Sequence, residues 1–97
     1  MKIQFPEELG GITYECMDHI PHRVNMQLNK AQKDEDDEKI MEIILTNLII
    51  NPKFTKEYLD TDACNGLITM LLTEKIMLEL DINLERVEEL KKKLVRL

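Results

Sequence analysis

Tryptophan is missing from this sequence, and aromatic residues are scarce: Phe5, Tyr14, Phe54 and Tyr58 make up 4% of its 97 residues. A core here has to be built from Ile, Leu, Val and Met, and the six methionines make it adaptable, because an unbranched thioether fills irregular gaps. Long hydrophobic runs are missing too. No stretch approaches the roughly 20 apolar residues of a membrane span, and the opening MKIQFPEELGG has no apolar centre of a secretory signal. Cytoplasmic residence without membrane contact is the expectation. Cysteine is limited to Cys16 and Cys64, and a single pair in a chain that is not secreted is expected to stay reduced. An excess of basic residues is lacking: 13 basic against 19 acidic residues give a net charge of −6, which repels polyanions and excludes nucleic acid as a first choice of partner. Gly-rich phosphate loops, nucleophile elbows and paired catalytic signatures do not occur. Neither an enzyme nor a cofactor is expected.

What is present is a charged, aliphatic chain with 43% hydrophobic residues, enough to fold and the right length for a single domain spanning 1–97. Residues 1–20 alternate. Ile3 and Phe5 are separated from Ile12, Tyr14 and Cys16 by a stretch holding Gly10-Gly11. That period of two around a turn signal predicts a short β-hairpin packed on helices, or else an extended arm that orders on a partner. From residue 21 onward the period is helical. Pro21 suits a first helical turn, and Ile20, Val24, Leu28 and Ala31 recur on one side of a helix ending before Asp34. The acidic run 34–38 breaks the pattern and places negative charge at the start of the next helix, where the helix dipole favours it.

That next helix, over 37–50, carries Ile40, Ile43, Ile44 and Leu48, with Met41, Leu45 and Ile49 on an adjoining stripe. So wide an apolar surface belongs to a central helix or to one sealed by another subunit. Asn51-Pro52 stops it. Phe54, Tyr58 and Leu59 form one apolar turn in a connector over 54–61. Asp60, Thr61 or Asp62 then caps a helix over 62–80, with Leu67, Met70, Leu71, Met77 and Leu78 on its apolar side. A last amphipathic stretch, 84–97, aligns Val87, Leu90, Leu94 and Leu97, and pairs Glu88 with Lys92 and Glu89 with Lys93 in the favoured i,i+4 order. The expected fold is mainly α: a bundle of about four helices over 21–97 with the hairpin or arm at its start.

Three clusters invite a chemical reading. Cys16-x-x-His19-x-x-His22, with Cys64 from elsewhere, supplies four ligands for tetrahedral zinc and would make a small zinc-stabilised regulatory module. The spacing is unusual for a zinc knuckle and Pro21 restricts it. The plainer reading makes Cys16 a small buried residue and the histidines surface groups. Cys64 with His19 could pair as nucleophile and base only with a pocket and an orienting third group. Asp34, Asp36 and Glu38 lack the glycine and closing glutamate of a calcium loop, so a solvated acidic loop is the reading there. What remains is apolar surface around Ile43, Ile44 and Leu48, and around Leu67, Met70 and Leu71. Other helices cover these residues, or a protein partner does.

The order of these segments resembles a known family. Ile20-Pro21-His22-Arg23-Val24, the acidic break, the aliphatic helix ending in Ile49-Ile50-Asn51-Pro52-Lys53-Phe54-Thr55, the turn x-Phe-Thr-x-x-x-Leu at 54–59 and the helix after it look like the tail assembly chaperones of long-tailed bacteriophages and prophages. The resemblance covers roughly residues 20–75. It implies an acidic helical protein without cofactor or active site, which keeps the tape measure protein soluble while tail tube subunits polymerise around it. In some members a frameshifted longer product is also made. Ile43, Ile44, Leu48, Leu67, Met70 and Leu71 are the candidate partner-binding residues, and self-association is a further expectation. A structural phage protein, such as a head–tail connector, is the other reading in the same setting.

Overall fold

The computed structural model describes residues 1–80 and 92–94 of the chain. The expected hairpin forms. Strand β1 (Lys2–Gln4) pairs antiparallel with β2 (Thr13–Cys16), placing Ile3 opposite Tyr14. Ile3, Tyr14 and Cys16 point into the core, and the polar residues Lys2, Gln4, Thr13 and Glu15 point out. The link is a 3₁₀ turn, Glu7–Leu9, followed by Gly10 at φ 98° and Gly11 at φ 63°. These left-handed angles suit glycine, and together they return the chain so that Phe5 N–H donates to the Ile12 carbonyl at 2.9 Å.

Four helices are described. Helix α1 (His22–Lys33) buries Val24, Leu28 and Ala31. Helix α2 (Asp37–Leu48) begins as its acidic run requires: Asp36 caps it by accepting the Lys39 N–H at 3.1 Å, with Asp37 and Glu38 in the first turn. Helix α3 (Lys56–Leu59) is a single turn, and α4 (Gly66–Glu79) closes the described body. Helix α2 is the central element. It packs against α1, α3 and α4, and it buries Ile43, Ile44, Leu45 and Leu48.

The chain differs from a simple bundle after Leu48. The helix expected to reach residue 50 stops two residues sooner, and Ile49–Asn51 forms strand β3. This strand joins the free edge of β2, giving a three-stranded antiparallel sheet in the order β1-β2-β3. Met17 N–H donates to the Leu48 carbonyl at 2.8 Å, so a carbonyl at the helix end finds its partner in the hairpin strand's extension. The β-branched pair Ile49-Ile50 suits an extended chain as well as a helix, and pairing with β2 decides the matter. The fold is mainly helical with a small sheet rather than an all-helical bundle.

Helix α4 also starts later than expected. The cap is Asn65, not Asp60, Thr61 or Asp62, and its side chain accepts the N–H groups of Leu67 and Ile68 at 3.0 and 3.3 Å. Thr61 is engaged instead with the end of α3, donating its hydroxyl to the Tyr58 carbonyl at 2.7 Å. Gly66, in the first turn of α4, has no atom within 4 Å of where a Cβ would stand. It makes no close helix contact. Gly66→Ala is therefore expected to stabilise the protein by about 0.5 kcal/mol through reduced freedom of the unfolded chain, seen as a higher midpoint in urea. A lower midpoint would mean that the glycine has a role at the helix start.

All four aromatic residues meet in one cluster. Phe5 packs edge-on against Tyr14 with ring centroids 5.5 Å apart, Tyr14 stacks on Phe54 at 5.9 Å, and Phe54 meets Tyr58 at 5.8 Å. The cluster ties the hairpin to α3 and its approach. The amphipathic stretch expected over 84–97 lies outside the described residues except for Lys92, Lys93 and Leu94, which are exposed.

Candidate partner-binding surface

The Phe54-Thr55 turn has a complete local explanation. Thr55 is the cap of α3, its hydroxyl accepting the Tyr58 N–H at 3.1 Å. Phe54 stands just before that cap and Leu59 four residues after it, the positions of a hydrophobic staple. Phe54 is buried and Leu59 packs against the same core. The spacing x-Phe-Thr-x-x-x-Leu is thus the requirement of a capped turn that anchors a connector.

The six candidate contact residues divide cleanly. Ile43, Ile44 and Leu48 are core residues of α2, with no surface to offer a partner in this fold. The candidate face narrows accordingly to α4, where Leu67, Met70, Leu71 and Leu78 are 49%, 44%, 36% and 75% exposed. The side of α4 read as its apolar face is largely its outer side. Its inner side carries Leu72 and Ile76 with Thr69 and Thr73.

This arrangement places two threonines inside and four long apolar side chains outside. The threonines are tolerated because each hydroxyl donates to its own helix backbone, Thr69 to the Gly66 carbonyl at 3.0 Å and Thr73 to the Thr69 carbonyl at 2.7 Å. Among the described residues no buried side-chain nitrogen or oxygen lacks a partner. Turning the helix to bury its outer leucines would expose Leu72 and Ile76 instead. Among the described residues α4 packs mainly on α2, and it carries apolar residues on most of its sides, interrupted by Glu74, Lys75 and Glu79, so burying one side leaves others exposed. Leu67, Met70, Leu71 and Leu78 form the apolar surface left over.

The zinc reading finds no geometry. Cys16 is buried in β2, while His19 is exposed and hydrogen-bonded to the Asp18 carboxylate at 2.9 Å. That hydrogen bond holds the Asp18 carboxyl below its ordinary range. Among the described residues no three His, Cys, Asp or Glu side chains converge on a point that could hold a metal. Nor is there an activated thiol. Burial pushes both Cys16 and Cys64 upward from the usual thiol range, which leaves them protonated near neutrality. Both are free, with Cys16 buried and Cys64 half-buried. Iodoacetamide at about pH 8 is expected to label one thiol per native chain, Cys64, and both in denaturant, read by intact mass. Native labelling of Cys16 first would contradict the burial described.

Three grooves flank the central helix, one of them, about 370 Å³, between α2, α3 and the start of α4. The cleft between α1 and α2, about 550 Å³, is lined by charges of both signs, Lys30 and Lys39 with Asp34, Asp36 and Glu42. The groove between α2 and α4, about 660 Å³, is floored by Ile40, Met41, Met70 and Met77 and edged by Glu35, Asp37 and Glu74. Met70 belongs both to this groove and to the exposed face of α4. Among the described residues no helix is long and apolar enough to cross a membrane. Comparison of the chain with known protein families, with curated proteins and with solved structures returned no match.

Proposed function

We propose that this protein is a non-enzymatic, cytoplasmic assembly factor that binds other proteins through the outer face of α4, in the manner of a phage tail assembly chaperone. The observation carrying the proposal is the inverted helix: Leu67, Met70, Leu71 and Leu78 stand in solvent while Thr69 and Thr73 are buried. Apolar segments of a client helix, in a tape measure protein or a tail tube subunit, would cover that face reversibly. The net charge of −6 would keep the complex soluble. The segment order over residues 20–75 supports the phage setting.

The test is a pull-down from induced or infected cells with this chain as bait and the bound proteins identified by mass spectrometry. The expected result is recovery of a very long helical tail protein or a tube subunit. Recovery of neither, or of the bait's own copies alone, would overturn the chaperone assignment. Mass spectrometry of purified virions separates a chaperone, scarce there, from a connector retained in the particle.

A further inference from the structure

The groove between α2 and α4 has a character that capture of apolar segments does not by itself require. Three of the chain's six methionines, Met41, Met70 and Met77, sit together along it. Methionine side chains are flexible and polarisable, so such a floor adapts to apolar side chains of differing shape. Its edge is of one sign. Glu35, Asp37 and Glu74 line it, and among the described residues no lysine or arginine does. The cleft on the other side of α2 shows the contrast, because there Lys30 and Lys39 stand among Asp34, Asp36 and Glu42 and offset most of their charge.

We propose that this groove selects a basic amphipathic helix: the methionines seat its apolar stripe, and Glu35, Asp37 and Glu74 meet its lysines and arginines. The proposal rests on the capture reading above and names the class of client segment. Charge complementarity chooses the occupant. A second copy of this chain would bring a net charge of −6 to an acidic edge, and like charges disfavour that docking. An acidic or neutral helix would find the same apolar floor with no partner at the rim. Exposed rim charges act mainly by steering and by discriminating between partners, and salt screens them.

The experiment uses the full chain and two labelled synthetic helical peptides of about 18 residues, or five turns. Both carry the same leucine stripe. One has lysine and arginine on its other faces, and the other has glutamate. Fluorescence anisotropy at about 0.15 M salt is expected to show the basic peptide binding at least about tenfold more tightly, with the preference shrinking at about 1 M. The double substitution Glu35→Gln, Glu74→Gln is expected to weaken the basic peptide by about three- to tenfold while thermal unfolding is unchanged. Equal binding of both peptides would overturn the charge selection and leave apolar capture standing. Binding of neither would overturn the groove as a site, and the pull-down then judges the capture reading separately. Self-association that blocks the peptides would overturn the proposal in favour of a second copy as the occupant.

Discussion

Replacing Phe54 by alanine is expected to destabilise the protein by about 3–5 kcal/mol, a large part of the roughly 5–15 kcal/mol available to a domain of this size. The ring is buried between Tyr14 and Tyr58, and so joins the sheet to α3. With no tryptophan and four aromatics in all, the chain has no second cluster to share this task. Truncation removes the transfer free energy of the ring and leaves a cavity, and the sheet on one side and the helices on the other limit how far it can collapse. Urea denaturation followed by circular dichroism would measure the change. Tyr58→Ala, at the half-exposed end of the cluster, is expected to lose less. A cost below about 1 kcal/mol for Phe54→Ala would mean that the aromatic cluster does not hold the hairpin to the helices.

The second large effect concerns binding. Combined Leu67→Glu, Leu71→Glu and Leu78→Glu should leave helical content and unfolding close to those of the parent, because all three side chains are exposed. Client capture should fall sharply. Covering a half-exposed leucine is worth about 1 kcal/mol, so removing three such contacts lowers affinity roughly a hundredfold. The readout is the yield of client in the pull-down. Undiminished capture by a folded triple variant would remove α4 as the contact face. Loss of the folded state would show that these leucines belong to a core. Substitutions at Ile43, Ile44 or Leu48 cannot serve this test, because their burial in α2 makes unfolding and lost binding indistinguishable.

Helix α1, the acidic start of α2 and the N-terminal hairpin were each readable from local pattern. Val24, Leu28 and Ala31 repeat at helical spacing on a face that is then buried. Asp36 and its neighbours favour a helix start through a cap and the dipole, both of which act within one turn. Ile3, Tyr14 and Cys16 alternate across a glycine turn, and all three point inward. In each case the information lies within a few residues, which is the range over which hydrophobic period, capping and turn geometry operate.

The remaining features depend on partners distant in sequence. Strand β3 exists because β2 offers an edge to Ile49–Asn51, more than thirty residues further along the chain. Asn65, rather than Asp62, caps α4, while Thr61 bonds to the end of α3. The division of the six candidate residues into core and surface could not be read from period at all. A helix whose apolar residues are spread over most of its sides, with Glu74, Lys75 and Glu79 among them, has no single apolar face in its period, and its packing on α2 selects the buried side. The sequence by itself determined an acidic, aliphatic, mainly helical chain with a hairpin at its start, because composition, period and capping are local properties. Only the tertiary structure decided that α4 turns its threonines inward and its leucines outward, and that three methionines and three carboxylates share one groove, because both depend on how α2 and α4 meet.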